Sequence, residues 1–417
     1  MQSRIVTYAN FATEGLSRKA PWNAVRPCLT KWTDARRFSS TSKSGKEEGY
    51  SALAIETSCD DTSVALVEVR DGSPTLQNGT ATNDAPHLSV LFHEKVTANN
   101  DEYTGIHPLV ALDSHRANLA PLVQRALKRL SPYDSSDTQP SKSGLPLKFV
   151  AVTRGPGMRS NLAVGLDTAK GIAVALDKPL IGVHHMQAHA LTPRLLTAMA
   201  NKAQESSQLE PAFPFLTVLV SGGHTMLLNS TSLTEHRTLA ETQDIAIGDF
   251  LDKATRAILP PERLRPPFGK ALEEFAFCSQ IRKVDETMTE NIDIEKGSEY
   301  PLTSRILLYL ESSSTFTGDT VVVSGGVASN SFLRHVLRST LDARGYQHIK
   351  LCFPPIELCT DNALMIAWAA IEMHRAGYTS SLDIGPIRKW SMDRKAADGG
   401  ILGPAGWIKS NDNGEKN

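Results

Sequence analysis

Two histidines four residues apart, His185 and His189, stand in Val183-His184-His185-Met186-Gln187-Ala188-His189, directly after the apolar run Pro179 to Val183. If the run is a buried strand and the histidines open a helix, both imidazoles lie on one face and can share a metal ion, while His184 points elsewhere. That spacing arises readily by chance among 12 histidines in 417 residues, so a second feature has to support it. Far downstream, Cys359-Thr360-Asp361-Asn362-Ala363 opens a long apolar helix, and Asp361 there is either a helix N-cap or an acidic site residue. Peptidase chemistry on the histidine pair is excluded: a zincin carries Glu directly after its first His, and Met186 occupies that place.

Glycine loops suggest what such a centre would work on. The apolar run Phe215 to Val220 leads into Ser221-Gly222-Gly223-His224-Thr225, and Thr320 to Val323 leads into Ser324-Gly325-Gly326-Val327-Ala328-Ser329-Asn330. Both are buried strands ending in Ser-Gly-Gly, where missing Cβ atoms let a phosphate or ligand backbone come close and free amides form an anion-binding concavity. This repeated device predicts nucleotide binding. Thr153-Arg154-Gly155-Pro156-Gly157 joins another strand to a helix, a place suited to an anion or to tight packing, and lacks the Gly-Lys-Ser/Thr ending of a P-loop. The turn Ser58-Cys59-Asp60-Asp61 links two apolar strands in a hairpin. Asp60 and Asp61 supply either turn chemistry or a contact to phosphate or its counter-ion. The helix that follows Asp244 carries three acids near its start, an ordinary electrostatic preference. Asp252, with Lys253 beside it, is the one suited to a ligand hydroxyl.

The elements that must position these residues follow from periodicity. Strands are expected at 52–56, 62–69, 93–97, 147–152, 180–183, 215–220 and 320–323, and helices over 114–127, 159–176, 271–282 and 332–341. His115 reads as a cap-region residue of the first helix rather than a site residue. Polar stretches at 72–86, 132–146, 201–211 and 284–300 read as loops or insertions, and the last twenty or so residues as a disordered tail.

Composition narrows the class. With 41% hydrophobic and 21% charged residues the chain is ordinary for a soluble protein of two domains, and no apolar run reaches the roughly 18 residues that span a bilayer. Residues 1–46 carry nine Lys/Arg against Glu14 and Asp34, a balance of +7 that leaves −8 for the rest of a chain of net charge −1. This basic, hydroxylated, acid-poor opening reads as a mitochondrial transit peptide, with Arg37-Phe38-Ser39 as a matrix-processing site. Cys28, Cys59, Cys278, Cys352 and Cys359 are odd in number and form no CxxC pair, which excludes a disulfide framework and a cysteine zinc site. A near balance of 45 acids and 44 bases gives no global basic field, so a nucleic-acid partner would need a local patch.

Ile55-Glu56-Thr57-Ser58-Cys59-Asp60-Asp61-Thr62, Gly155-Pro156-Gly157, His185-Met186-Gln187-Ala188-His189, Val220 to Thr225, Phe250-Leu251-Asp252-Lys253, Ser324 to Asn330 and Cys359 to Ala363 occur in this order across about residues 50 to 370. Together they resemble the tRNA adenosine threonylcarbamoyltransferase family, relatives of the actin, heat-shock chaperone and sugar-kinase ATPases. The resemblance implies an α/β fold of two actin-like (ribonuclease H-like) domains with a ligand cleft between them. The expected boundaries are a transit segment 1–48, a first domain 49–178 with a return at 362–392, a second domain 179–361 and a disordered tail 393–417. It further implies that His185, His189 and Asp361 hold one divalent metal, zinc or iron, and that no catalytic side chain beyond these ligands is assigned. Val220, Ser221, Gly222, Gly223, His224, Asp252, Gly269, Glu273, Ser324, Gly325, Gly326 and Asn330 would contact threonylcarbamoyl-adenylate. Ser58, Asp60 and Asp61 would form a phosphate loop.

The family's reaction moves the threonylcarbamoyl group to the N6 amine of the adenosine 3′ to the anticodon, in tRNAs reading codons that begin with A. A separate synthase supplies the adenylate, and the resemblance to organelle forms implies a homodimer in the mitochondrial matrix. Two departures stand out: Gln187 replaces the usual Glu between the histidines, and Pro266-Pro267-Phe268-Gly269-Lys270 replaces a Pro-Gly-Gly-Pro region. The competing readings are a small-molecule kinase or ATPase of the same fold, with an incidental histidine pair, and a non-catalytic scaffold.

Overall fold

The computed structural model describes residues 49–410, apart from 71–73, 78–79, 84, 101, 104, 131–144, 201–207, 223–224, 243–244, 267, 278–305, 308 and 312–316. The transit segment, Cys28, Cys278, the insertion at 284–300 and nearly all of that at 132–146 lie outside the described residues.

Alternating runs of β-branched residues and Gly-marked turns produce two large sheets and a small two-stranded one. The chain starts with β1 (Gly49–Glu56) and β2 (Asp61–Arg70), passes through a separate hairpin of β3 (Pro74–Gln77) and β4 (Thr80–Asn83), and returns to the first sheet in β5 (His87–Thr97). Helix α1 (Pro108–Lys128), β6 (Leu147–Gly155), α2 (Arg159–Ala175), β7 (Leu180–His184) and α3 (His185–Ala200) follow. The second half holds β8 (Phe215–Val220), β9 (Thr225–Ser230), β10 (His236–Glu241), α4 (Ile247–Ile258), α5 (Phe268–Ala276), β11 (Thr320–Ser324), α6 (Ser331–Ala343) and β12 (Lys350–Cys352). A short α7 (Ile356–Cys359) leads to α8 (Ala363–Arg375), and the chain closes with β13 (Tyr378–Ser380) and β14 (Trp407–Lys409).

The first sheet runs β14-β13-β7-β6-β1-β2-β5 and the second β10-β9-β8-β11-β12. Within each, three strands form an antiparallel meander and two more join in parallel beside the first: β5-β2-β1-β6-β7 in one, β10-β9-β8-β11-β12 in the other. This shared order defines the two actin-like halves. Parallel strands need helical crossovers, and α2 and α6 supply them.

Helix α8 is buried along nearly its whole length, Trp368 included, and packs on β1, β2, β6 and β7 as well as on α3. Its alanines let it lie close on the sheet, and its apolar faces join the larger core cluster. A second cluster fills the space between the other face of the first sheet and α1 and α2, and a third fills the second half.

Several expectations need correction. Strand β7 belongs to the first sheet, between β6 and β13, so the strands of the second half begin after α3 rather than at residue 179. The polar stretch 72–86 contains the β3–β4 hairpin, and β5 is an eleven-residue strand where only 93–97 is expected. The tail expected to be disordered from 393 is described as far as residue 410 and ends in an edge strand paired with β13. Ile401 within it is buried, as are Trp390 and Met392 just before it. Among the described residues no helix is long and apolar enough to cross a membrane, and Cys59, Cys352 and Cys359 are free.

Candidate metal centre and nucleotide cleft

Strand β7 passes into α3 without a loop, so His184 ends the strand and His185 begins the helix. One turn later His189 returns to the same face, its ring edge-on to that of His185 with centroids 4.8 Å apart. Asp361 reaches them from the α7–α8 connection: its Oδ1 lies 3.3 Å from His185 Nε2 and 3.1 Å from His189 Nε2. The capping alternative for Asp361 falls, because Asn362 caps α8 by accepting from Met365 N at 3.0 Å. Asp361 is thereby left to face the histidines. One ligand atom from each of the three lies within 4.8 Å of the others, a donor set that fits a small divalent ion.

His184 turns the other way, as expected, and packs on Trp390 with ring centroids 4.5 Å apart. Gln187 also turns from the centre, its amide donating to Leu233 O at 2.8 Å. An amide suits that carbonyl, and the residue's identity does not alter the donor set. Burial opposes charge on both histidines; for His185 the Asp361 and Glu56 carboxylates outweigh it and hold the pKa well above the ordinary value, whereas His189 stays below it. Burial likewise opposes charge on Asp361, but His185 and His189 keep its carboxyl well below the usual range.

The β1–β2 turn supplies the floor. Ser58 Oγ lies 3.2 Å from His185 Nδ1, and Ser58 O accepts from Met158 N at 2.9 Å. Gly157 is required there, since a Cβ would come within 2.7 Å of Ser58 O. Asp61 is paired with Lys95 at 2.9 Å and accepts from the Thr97 hydroxyl, and burial raises its carboxyl against the pull of Lys95. Asp60 accepts from Asn100 Nδ2 at 3.5 Å and is also raised by burial. Lys95 further donates to Thr360 Oγ1 at 2.9 Å, joining β5 to the residue before Asp361. His115, expected near a helix cap, sits fully buried inside α1 and bridges Thr62 Oγ1 at 2.8 Å and Cys59 O at 2.9 Å, bracing the turn.

In the second half the two Ser-Gly-Gly loops end neighbouring parallel strands and pack on one another. Gly325 has φ +98°, and a Cβ there would come within 2.4 Å of Val220 O. Gly248, in the first turn of α4, is pressed against Ser221 and Gly222 in the same way. Above them opens a cleft of about 1050 Å³ whose lining includes Gly222, Asp252, Gly269, Glu273, Gly326 and Asn330. Asp252 Oδ1 accepts from Gly269 N at 3.1 Å, Asn330 Nδ2 donates to Gly269 O at 2.9 Å, and Glu273 Oε1 accepts from Ser331 N at 3.0 Å. Val220 and Ser324 are buried under this floor, and Ser221 is half-buried beside it. Gly223 and His224 lie outside the described residues. A Cβ on Gly326 would touch Thr360, so the cleft abuts the chain segment that carries Asp361.

Sequence reasoning gave no role to Glu56, Thr153 or Lys95. The available signal was an acid ending the otherwise apolar strand Ala52-Leu53-Ala54-Ile55, a placement that makes sense only with buried partners.

Comparison with known proteins agrees with this geometry. A family model described as tRNA N6-adenosine threonylcarbamoyltransferase matches residues 90–368. The mitochondrial tRNA N6-adenosine threonylcarbamoyltransferase of Schizosaccharomyces pombe is 37% identical over 402 residues, covering 86% of this chain and 89% of its own. The Brucella ovis enzyme of the same name, without the organelle label, is 33% identical over 383 residues, covering 83% and 96%. Among solved structures, a ROK family transcriptional regulator related to the E. coli MLC protein overlaps 78% of each chain at 12% identity and a TM-score of 0.40. The fold rests on the strand order rather than on that overlap. A family match spanning both halves and the whole histidine segment, joined to relatives aligned along most of their length, has one outcome: the chain belongs to the tRNA N6-adenosine threonylcarbamoyltransferase family.

Proposed function

We propose that the chain transfers the threonylcarbamoyl group from threonylcarbamoyl-adenylate to the N6 amine of the adenosine 3′ to the anticodon, in mitochondrial tRNAs that read codons beginning with A. The observation that carries this reading is the convergence of His185, His189 and Asp361 beside a glycine-walled cleft. In it, His185, His189 and Asp361 hold a zinc or iron ion, which supplies Lewis-acid polarisation of a carbonyl or phosphate oxygen.

The remaining roles fall to the chain. Gly222 and Gly326 let the adenylate lie against backbone, where amides meet its negative charge. Asp252 and Asn330, held through Gly269, orient the nucleoside end, and Glu273 fixes the first turn of α6 at the cleft wall. The adenosine is unpaired in the anticodon loop, so its amine can approach without a helix being opened. A separate synthase supplies the adenylate, and the chain works as a homodimer in the matrix; similarity to a relative named as mitochondrial and the basic first 46 residues support that location. A kinase of the same fold would leave the buried histidine pair and its aspartate without a task.

The test is transfer of labelled threonine from pre-formed threonylcarbamoyl-adenylate to a mitochondrial tRNA, comparing the intact chain with the His185→Ala/His189→Ala double variant. Label on tRNA that disappears in the variant is the expected outcome. Transfer persisting in the variant would remove the metal assignment, and ATP turnover without tRNA together with no transfer would favour the kinase.

A further inference from the structure

Glu56 is a carboxylate with no exposed surface at the end of β1, in the middle of the first sheet. A buried carboxyl left without hydrogen-bond partners is costly, so its oxygens are expected to be satisfied. Here Oε1 accepts from Ser58 N at 2.5 Å, while Oε2 accepts from the Thr153 hydroxyl and lies 3.2 Å from His185 Nδ1. The three partners come from the β1–β2 turn, from β6 and from the start of α3, so the carboxylate joins adjacent strands and a helix. Thr153 is itself fully buried, which fixes the direction from which Oε2 is approached.

His189 provides the contrast. Its Nδ1 is buried with no hydrogen-bond partner among the described residues. Of two imidazoles that face Asp361 through Nε2, one is held at its far nitrogen and the other is not.

We infer that Glu56 is a positioning residue for the metal centre: by accepting from His185 Nδ1–H it fixes the ring's tautomer and rotation, so that the Nε2 lone pair faces the site shared with His189 and Asp361. The inference rests on the reading that these three side chains hold a metal. Partners that orient a ligating histidine in this way typically contribute about 10- to 100-fold to metal affinity. Glu56 lies outside the shared donor set and acts on His185 both directly and through Ser58, whose N–H it accepts and whose Oγ lies 3.2 Å from the same Nδ1. Thr153 acts one step further back, by holding Oε2 in place.

The experiment is titration of the full chain with Zn²⁺ alone against a competing chelator, with thermal melting to monitor folding. Glu56→Gln, nearly isosteric, is expected to weaken Zn²⁺ binding about tenfold, and Glu56→Ala about 100-fold. Thr153→Val should give a smaller loss than either. In a His185→Ala background, Glu56→Gln should change Zn²⁺ affinity no further, because the residue through which it acts is gone. Should Glu56→Ala fail to fold, Glu56→Gln and its His185→Ala cycle still decide the matter. Wild-type affinity in Glu56→Gln, or a loss that adds fully to that of His185→Ala, overturns the inference and leaves the proposed function standing. A wild-type chain that binds neither Zn²⁺ nor, in the same titration under anaerobic conditions, Fe²⁺ overturns the metal reading and the inference together.

Discussion

The two halves share one strand order and use it in opposite ways. At the ends of β1 and β6 the first half gathers charged and polar side chains and buries them: Glu56, Ser58, Asp61 and Thr153, with His185 across from them. At the ends of β8 and β11, which occupy the same two places in the second sheet, stand Ser-Gly-Gly loops under an open cleft. Equivalent strand ends can thus be filled with buried polar side chains, or reduced to backbone at the floor of a cleft. A group-transfer site set against both gains a charge centre that stays put and a cradle shaped by what it receives.

That contrast can be broken most severely on the charged side. His185→Ala/His189→Ala should lower transfer at least about 10³-fold, since Lewis-acid polarisation is worth several kcal/mol and each 1.36 kcal/mol is tenfold. Binding of AMP to the cleft should survive in the same variant, measured by calorimetry. Loss of both together would mean the halves are not separable in function.

On the glycine side, Gly325→Ala places a Cβ within 2.4 Å of Val220 O at a positive φ. Strain and overpacking together should destabilise the fold by about 3 kcal/mol, read from urea unfolding. An unchanged midpoint would show that the two loops are not locked together as described.

Asp252→Ala tests the cradle more gently. It removes the acceptor that holds Gly269 and should raise KM for the adenylate about tenfold with kcat little changed. A fall in kcat at constant KM would move Asp252 to the reacting end of the cleft.

The smallest effect concerns acid stability of the second half. Burial pushes His236 down to about 4, and it stays neutral between Ser230 Oγ and Leu233 O. Above the unfolded value near 6.5 this has no consequence for stability; as pH falls from there to about 4 the unfolded chain takes up a proton that the folded one refuses. The penalty grows by about 1.4 kcal/mol per pH unit across that window. Thermal melts from pH 7 to 5 should show it, and His236→Gln should flatten the slope.

How much of this was legible in the sequence depends on whether a feature is local. The His185/His189 pair could be read because strand-to-helix passage and a four-residue spacing fix a common face within a few residues. Asn362, and not Asp361, being the cap was not legible, because adjacent polar residues compete for one helix start and only side-chain directions decide. The visible Ser-Gly-Gly repeat follows neighbouring strands of one sheet, whereas the duplication of halves leaves no such mark: the ends of β1 and β8, equivalent in strand order, continue into Thr57-Ser58 and Ser221-Gly222. The two departures from the family pattern also resolve in space. Gln187 faces a core carbonyl, and Gly269, with altered flanks, still lies between Asp252 and Asn330.

The closing segment of the chain has a consequence for the order of assembly. Helix α8 and strands β13 and β14 complete the first sheet's core and edge, and Arg154, beside the Gly-Pro-Gly loop, is bonded to Gly385 O and Ala405 O. Asp393 meanwhile accepts from Thr238 N in the second half. The strands of the second sheet all lie between residues 215 and 352, while the first sheet begins at residue 49 and takes its last strands from more than 300 positions away. Contacts of such long sequence separation are closed late. Strand β1 meets β2 early, across a short turn, but β7, which leads into the histidine pair, waits for β13 to cover its outer edge, and the histidines wait for Asp361 to arrive with that late stretch.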